Sequence, residues 1–393
     1  MSKQSSGNAL VIHGGGPTPV LNASLAGTIR EAQQQPAIGK LWGARFGVAG
    51  ALTEDFWDLL AQPEAVIAGL LHSPGSAIGS SRKHMEPGHY EDLQKVIAKN
   101  EIRYVFMTGG NGSQDTGMRI SQAAAAVGYE LYAVGIPKTV DNDLGFTHFS
   151  PGYLSAARFY AQAVRDIGED NRSLPTPINV TEIIGRNAGW VVGATALARQ
   201  HPDDAPHLVY LPEHRISEEQ LCADVEAVYR RLGRCVVSVC EGQLNLEGEA
   251  FGADAHSAKG SRDRLASNLG HQVAALLTKR LGVRARSEKP GLLGRSCSLD
   301  VPQLDQDAAF GCGATAVRDA VAGHSGHMVT ILPITAEEPT LRYGRVPFPE
   351  VAIAENTVPK EWISPSGNNV TEPFLEYVRP LVGNIPAHPR LVR

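Results

Sequence analysis

The chain has 393 residues and a formal net charge of −5, and 42% of its residues are hydrophobic. This length allows more than one hydrophobic core, and the mildly acidic balance gives no sign of a nucleic-acid-binding or membrane-surface protein. No apolar run reaches the roughly 20 residues that span a bilayer, and the polar N-terminus is unlike a signal peptide. We therefore expect a soluble, cytoplasmic protein with neither nucleic acid nor membrane as a partner.

Cysteine and histidine usage narrows the classes further. The five cysteines form no CxxC pair and no disulfide framework, which predicts free thiols in a reducing compartment. The 13 histidines lack the spacing of a zinc site, so we assign none.

Short apolar runs alternate with helical patterns in the first part of the chain. Strands are predicted at residues 9–12, 41–48, 104–107 and 132–136. Helical spacing follows at 21–29 and at 116–127. This β-α-β order predicts a parallel sheet with helices on both faces.

The same alternation returns after residue 152. Strands are predicted at 178–184, 207–211, 235–240 and 328–332, and helices at 156–166, 191–198, 217–231 and 268–281. A second α/β lobe is therefore expected. The tail from residue 347 is proline-rich, which predicts irregular packing over a lobe.

Glycine-rich and charged loops follow several of the predicted strands. Residues 14–19 (Gly-Gly-Gly-Pro-Thr-Pro) separate a strand from a helix, as at an anion site, although a plain tight turn explains them equally well. The segment is neither a dinucleotide fingerprint nor a P-loop. Residues 108–113 (Thr-Gly-Gly-Asn-Gly-Ser) form a second such loop.

Residues 137–143 (Pro-Lys-Thr-Val-Asp-Asn-Asp) concentrate chemistry at the end of a predicted strand. A surface loop whose aspartates cap the next helix is the alternative. A catalytic loop gives each group a role, with Asp141 accepting the proton of a sugar hydroxyl and Lys138 neutralising a transferring phosphoryl group. Thr139 can hold a phosphate or sugar oxygen. The spacing favours phosphoryl transfer.

Further charges fall at strand ends or beside glycines. Gly185-Arg186 and Glu241-Gly242 follow strands, and Arg82 and Lys83 follow Gly-Ser-Ser. Arg286 and Arg295 are candidates for binding a terminal phosphate, since the guanidinium recognises phosphate in a bidentate manner. Each of these groups taken singly could equally be a surface charge.

In order and spacing these motifs resemble those of the phosphofructokinase family, from about residue 8 to the C-terminus. The resemblance is carried by residues 14–22, 79–83, 108–113, 137–143, 185–190, 241–242 and 295. Residues 137–143 and 185–190, with tail segments 358–362 and 367–371, are similar to the branch that holds pyrophosphate-dependent enzymes and related ATP users.

The resemblance implies two doubly wound, Rossmann-like α/β lobes with the active site between them. Residues 1–152 with 295–345 would bind the phosphoryl donor, and 153–294 with 346–393 the sugar phosphate. It also implies magnesium-assisted transfer to the 1-hydroxyl of fructose 6-phosphate, with Mg²⁺ as cofactor, and a homodimer or homotetramer.

The resemblance also assigns roles to individual residues. Those implied in catalysis are Asp141 as general base, with Lys138, Asp143 and Arg82. Those implied in donor binding are Gly15, Gly16, Arg82, Lys83, Gly110, Gly112 and Ser113. Those implied in sugar-phosphate binding are Thr139, Val140, Asp141, Ile184, Gly185, Arg186, Glu241, Arg286 and Arg295.

Three departures from the family pattern bear on donor, metal and acceptor. Asn111 offers magnesium only a neutral oxygen where an acid would be the better ligand, so it is a weak metal candidate. Gly112 leaves room for the α-phosphate of ATP, whereas an aspartate there would favour pyrophosphate. Pro177 and Leu292 stand where many bacterial relatives have basic residues, and Ile184 replaces a methionine.

We therefore expect a phosphofructokinase that uses ATP rather than pyrophosphate and makes fructose 1,6-bisphosphate. The alternatives are the pyrophosphate-dependent enzyme and a kinase for another sugar or sugar phosphate. A non-catalytic regulatory homologue is the alternative of a different class, and the presence of Lys138, Asp141 and Asp143 argues against it.

Overall fold

The computed structural model describes residues 6–174, 177–251 and 268–391. The first five residues, on which part of the expected polar N-terminus falls, lie outside this set. The described residues form two compact units, 1–153 with 303–356 and 154–302 with 357–393. None of the helices in the described part is both long enough and apolar enough to cross a membrane.

The strands number eleven in the described residues. In chain order they are β1 Gly7–His13, β2 Ile38–Ala44, β3 Phe56–Asp58, β4 Ile102–Gly109, β5 Tyr132–Pro137, β6 Ile178–Ile183, β7 Leu208–Tyr210, β8 Cys235–Cys240, β9 Ala285–Glu288, β10 His327–Ile331 and β11 Tyr343–Pro347.

The α-helices of the same residues number thirteen. They are α1 Leu21–Ala32, α2 Val48–Leu52, α3 Glu64–Leu70, α4 Pro87–Lys99, α5 Asn111–Ala126, α6 Tyr153–Ser173, α7 Trp190–Ala194, α8 Glu218–Leu232, α9 Leu269–Leu281, α10 Leu293–Ser296, α11 Gln303–Val321, α12 Phe348–Val351 and α13 Glu372–Val382. Two 3₁₀ turns lie at Thr195–Ala198 and Lys360–Trp362.

The first unit is built on a seven-stranded sheet of order β11-β10-β5-β4-β1-β2-β3. Its central strands β10, β5, β4, β1 and β2 run parallel, and the edge strands β11 and β3 are antiparallel to their neighbours. Apolar side chains such as Leu10, Val105 and Met328 fill its core. The expected parallel α/β architecture is confirmed.

The second unit has a four-stranded parallel sheet of order β7-β8-β6-β9. Strands β6 and β8 lie in its middle and are buried along their whole length. β8 is nearly all apolar, as expected for a strand buried on both faces, whereas β6 also buries Asn179, Thr181 and Glu182. Val180, Val237 and Val273 belong to its core.

The units differ from the expected lobes by one residue after 152 and by more at the two later boundaries. Residues 295–302 group with the second unit, and 346–356 with the first. The second shift has a clear cause, because β11 pairs with β10 through Pro347 and α12 then packs against α5. The assignment of donor and sugar phosphate to these units stays a proposal.

Two predictions made from local sequence are wrong, one for the end of β2 and one for the C-terminal tail. The strand expected at 41–48 ends at Ala44, because Phe46 and Gly47 adopt positive φ angles of 55° and 65°. The irregular tail is a wrong prediction for α13, whose buried Phe374, Val378 and Leu381 form one helical face. The five cysteines all lie in the described residues and none forms a disulfide, as predicted.

Helices α1 and α11 pack backbone to backbone in the first unit. A Cβ atom on Gly27 would lie 2.0 Å from the Phe310 carbonyl oxygen, and one on Gly313 would lie 2.1 Å from the Ser24 carbonyl oxygen. No side chain larger than hydrogen fits without the helices moving apart.

We predict that Gly313→Ala lowers the free energy of unfolding by about 1–3 kcal/mol, because its methyl group overpacks this contact. The matched control is Gly69→Ala in α3, where a Cβ meets nothing within 4 Å. That change should raise stability by about 0.5–1 kcal/mol through helix propensity and a less flexible unfolded chain. Urea unfolding of both variants checks the pair, and equal effects would contradict the packing argument.

Candidate active site

Three loops of the first unit meet at the carboxyl edge of its sheet. His13 of β1 lies opposite Thr108 of β4, and Gly109 lies opposite Pro137 of β5. The residues that follow, among them Gly14 and Lys138, therefore leave the sheet side by side. The Gly14 amide donates to the Thr108 carbonyl at 2.8 Å. Ligands of open α/β sheets bind at this edge.

The glycine loop after β1 is joined to the loop at 79–83. The Gly15 amide donates to the Ser81 carbonyl at 2.9 Å, and the Ser80 hydroxyl donates to the Gly15 carbonyl at 2.7 Å. Arg82 and Lys83 follow directly and are exposed. Among the described residues Arg82 has no hydrogen-bond or ion-pair partner, so its guanidinium is available to an anion.

Lys138 is held against the glycine loop. Its side chain is 3% exposed, and its Nζ donates to the Gly16 carbonyl at 2.8 Å. A Cβ on Gly15, whose φ is +78°, would lie 3.2 Å from this Nζ. The positive charge predicted from the sequence is therefore fixed beside the backbone predicted to cradle phosphate.

His13 is a residue that sequence reasoning missed. Its Nδ1 is 2.8 Å from the Ser76 hydroxyl, which itself donates to the Gly79 carbonyl, so Nδ1–H is the donor to Ser76. Burial and the charge of Lys138 lower the pKa of His13 to about 3, so the imidazole is neutral at neutral pH. In the sequence, the one feature that could have pointed to His13 is its place as the last strand residue before a run of glycines.

The loop at 137–143 brings its polar residues together as predicted. The Asp141 amide donates to the Thr139 hydroxyl at 3.1 Å, and Asp141 and Val140 are half-buried. Asn142 is fully buried with a φ of 56°. It lies between Asp141 and Asp143 in the chain.

Asp143 is in a strongly perturbed environment. Burial raises its pKa, a nearby Glu355 adds to the rise, and hydrogen bonding to Thr139 and the charge of Lys138 oppose it. Its Oδ1 is buried and has no hydrogen-bond partner among the described residues. Carboxyl groups whose pKa is raised by burial, with one oxygen left without a partner, concentrate at functional sites.

The segment 108–113 is only half a loop, because α5 begins at Asn111. Gly110 precedes it, and Gly112 lies in its first turn, where backbone N–H groups lack partners in the helix. The Ser113 amide, one residue further on, already donates to the Gly110 carbonyl at 2.8 Å. Gly112 is exposed, and a Cβ there would meet nothing within 4 Å. The first turn can therefore face an anion without steric obstruction.

At this edge Ser113 leaves no room for a side chain on either of two glycines. A Cβ on Gly14 would lie 2.3 Å from its Oγ, and one on Gly109 would lie 2.1 Å away. The glycine loop and the start of α5 thus approach each other too closely for side chains. Glycine at these positions reflects close backbone approach rather than chain flexibility.

The amide of Asn111 is already engaged by the protein. Its Nδ2 donates to the carbonyl oxygens of Val351 at 2.9 Å and Ala354 at 2.6 Å. Only its side-chain oxygen is left for a metal. In the described residues no group of three or more His, Cys, Asp or Glu side chains is arranged to hold a metal ion.

In the second unit, two predicted residues meet at the ends of β6 and β8. Ile183 pairs with Cys240, so Gly185 and Glu241 leave neighbouring strands together, with Ile184 half-buried between. Gly185 has a φ of +129°, and its amide lies 3.4 Å from Glu241 Oε1. The two motifs form one corner.

The positive charge of Arg186 acts on the Glu241 carboxyl group at this corner. Burial raises the pKa of Glu241, while the Gly185 amide and the charges of Lys289 and Arg186 oppose the rise. A Cβ on Gly242 would lie 1.4 Å from the Arg186 carbonyl oxygen, so the backbone of the two segments is in direct contact. The corner presents both a carboxyl group and a guanidinium.

The two remaining arginines lie elsewhere in this unit. Arg286 of β9 pairs with Asn179 near the start of β6. Six residues at about 3.3 Å each put it about 20 Å along the strand from Gly185, so the two are not brought together within one chain. Arg295 is half-buried on α10, which packs against Tyr160 through Gly294.

Comparison with known proteins gives a consistent result. The phosphofructokinase family profile matches residues 8–319. The chain is 36% identical to a pyrophosphate–fructose 6-phosphate 1-phosphotransferase of Rhodospirillum rubrum over 391 residues, covering 96% of this chain and 94% of the relative. It is 35% identical to the enzyme of that name from Xanthomonas campestris, covering 96% and 92%.

A solved structure gives the same picture. The crystal structure of a pyrophosphate-dependent phosphofructokinase from Nitrosospira multiformis matches with a TM-score of 0.87 and 32% identity. The match covers 98% of this chain and 94% of that one.

We predict that Asp143→Asn stabilises the protein but impairs turnover. Because the pKa of Asp143 is raised on folding, the wild type loses stability as pH rises from about 3.9 through the folded pKa. The variant lacks this loss, so its melting temperature should exceed that of wild type at pH 7.5. The difference should vanish near pH 4.

Thermal unfolding from pH 4 to 8 measures this difference. The control is Asp92→Asn, an exposed carboxylate paired with Lys95 on α4, with an expected change within about 0.5 kcal/mol. A melting difference that does not change with pH would contradict the burial argument.

Proposed function

This chain belongs to the phosphofructokinase family, and on that premise we propose that it transfers a phosphoryl group from pyrophosphate to the 1-hydroxyl of fructose 6-phosphate. The observation that carries the proposal is the meeting of three loops at one sheet edge of the first unit. There a glycine loop, the open first turn of α5 and a loop with a lysine and two aspartates lie side by side. Phosphoryl transfer needs such positioning and electrostatic stabilisation.

The choice of pyrophosphate rests on similarity along the whole chain. Relatives that match over more than 90% of both lengths carry pyrophosphate in their names. The expectation of ATP, drawn from Gly112 alone, has no support from them. Their acceptor, fructose 6-phosphate, is the one we adopt for this chain.

ATP is the second candidate, because two observations in the first unit favour a larger donor. The space around Gly112 is open. Phe46 is 57% exposed and lies beside the loop at 79–83, where a Cβ on Gly79 would be 2.6 Å from Phe46 Cδ1. The Arg45 guanidinium lies over its ring at 5.7 Å from the centroid. An exposed aromatic face at a phosphate-binding edge can stack a nucleobase.

In the proposed reaction Asp141 accepts the proton of the 1-hydroxyl as the oxygen attacks phosphorus. The bond between that phosphorus and the bridging oxygen of pyrophosphate breaks, and orthophosphate leaves. Lys138 and Arg82 offset the negative charge on the transferring group. Neutral His13 holds the 76–79 turn in place without adding a charge.

Magnesium is the cofactor that the resemblance implies, and the loop residues fit it in part. Mg²⁺ is usually bound by one or two carboxylates together with substrate phosphates, so a complete protein cage is not required. Asp143, with its unpartnered oxygen, is the residue we assign to hold it, beside Asp141. When bound, the ion would neutralise charge on the donor oxygens.

The sugar phosphate is assigned to the corner of the second unit. Glu241 would accept from sugar hydroxyls, and Gly185 and Arg186 would bind through backbone and guanidinium. Arg295 is assigned to the terminal phosphate. Arg286 lies beside the start of β6, about 20 Å along that strand from this corner. It would act in the site of a second copy within a homodimer or homotetramer.

We predict that Asp141→Ala lowers kcat by about 10²–10⁴-fold, the usual contribution of a general base. Binding of fructose 6-phosphate, measured by calorimetry, should stay within threefold of wild type, since Asp141 acts on the proton rather than on the phosphate. Turnover that is unchanged would contradict its role. A wild-type protein that binds sugar phosphate but turns over with no donor would instead be the regulatory homologue.

We predict that the wild type turns over with pyrophosphate. The Gly112→Asp variant should keep its turnover with pyrophosphate within threefold of wild type. The carboxylate would occupy the open space and abolish any turnover with ATP. The control is Gly88→Asp, which puts the same side chain at the second position of α4, where nothing lies within 4 Å. Turnover with ATP and none with pyrophosphate would make ATP the donor.

A further inference from the structure

The segment 351–356, which we call the strap, contacts two of the three candidate loops. It begins at the last residue of α12 and belongs wholly to the first unit. Its contacts go to the start of α5 and to the loop at 137–143 with the residues just after it. None of its residues was assigned a role from the sequence.

The first anchor of the strap is Asn111, the first residue of α5. Its amide nitrogen donates to the carbonyl oxygens of Val351 at 2.9 Å and Ala354 at 2.6 Å. Val351 is the last residue of α12, where carbonyl groups lack partners in the helix, and Ala354 lies three residues beyond it. A carboxylate at 111 could make neither bond and would face two carbonyl oxygens instead.

The second anchor is Asn356. Its backbone amide donates to the Asp143 carbonyl at 2.9 Å, and its side-chain Nδ2 donates to the Asn142 carbonyl at 2.9 Å. Between the anchors, Glu355 forms an antiparallel bridge with Leu144. The Ala354 methyl group lies so close to Gly145 that a Cβ there would be 2.9 Å away.

Asn142, whose carbonyl accepts a hydrogen bond from Asn356, has a positive φ angle. Asn142 is fully buried and has a φ of 56°, a region that non-glycine residues enter at a cost of about 1–2 kcal/mol. Its side-chain oxygen accepts from the Ser150 amide at 2.9 Å, and its carbonyl accepts from Asn356. Such a conformation persists only where its surroundings hold it, and here it separates Asp141 from Asp143.

We infer that the strap is a positioning element that couples the first turn of α5 to the two carboxylates of the loop at 137–143. Asn111 and Asn356 are its positioning residues, and neither needs to touch substrate. This inference rests on the proposed function for its effect on turnover. It also gives Asn111 a reason to be an amide, because the position must donate two hydrogen bonds.

Turnover kinetics of four variants provide the first test. Asn356→Ala should lower kcat at least tenfold and leave the KM for fructose 6-phosphate within twofold, whereas Asn356→Gln, which keeps a donating amide, should retain at least a third of kcat. Asn111→Ala should behave like Asn356→Ala. The double variant should fall no further than the worse single one, because both act through one segment.

The matched control is Asn100→Ala at the end of α4. Its Nδ2 also donates to a helix carbonyl, that of Val96 at 3.0 Å, and it lies outside all three loops. Its kcat should equal that of wild type. Independent, multiplicative losses in the double variant, or a loss as large at Asn100, would overturn the inference.

Asn111→Asp separates this role from metal ligation. If the oxygen of Asn111 served magnesium, the acid would raise kcat at low Mg²⁺ concentration. The strap predicts the opposite, a lower kcat at every Mg²⁺ concentration. An increase at low Mg²⁺ would overturn the inference.

Hydrogen exchange supplies a readout that does not depend on activity. The Asn356 amide is bonded to the Asp143 carbonyl, so Asn111→Ala should speed its exchange at least tenfold while leaving exchange in the α1 helix unchanged. Unchanged exchange at Asn356 would overturn the inference. If the wild type shows no turnover, the proposed function fails and hydrogen exchange still decides about the strap.

Discussion

The register of three parallel strands is the constraint on which the first unit depends. Because β1, β4 and β5 end level with one another, three chain segments that are far apart in sequence leave the sheet at one place. Hydrogen bonding then joins them, from Gly14 to Thr108 and from Lys138 to Gly16. A slip of one residue would move Lys138 away from the glycine loop and reverse every buried side chain of the strand.

Much of this arrangement could be predicted because it depends on local pattern. Apolar runs located most of the central strands, and the loops that follow them could be named. Helix α11 was missed because buried positions surround it and leave no one-sided stripe. The start of α5 at Asn111 was missed as well, although it makes the second half of the segment 108–113 a helix terminus.

Residues that act through long-range contacts could not be found in the same way. Nothing near Asn356 in the sequence reveals that it lies against Asn142, more than 200 positions earlier. Asn111 was identified, but its expected metal role followed from residue type alone. The partners of its amide, Val351 and Ala354, come from a tail that was expected to be irregular.

The first unit is discontinuous in the chain, since α11, β10 and the strap come after residue 302. During synthesis, the ribosome must therefore complete residues 154–302 before the sheet of the first unit can receive β10 and before α11 can cover α1. Until then the face of α1 that carries Gly27 is exposed to solvent and to other chains. Folding of the three candidate loops must therefore wait until the chain has been made up to residue 356, and the unfinished unit is prone to misassembly until then.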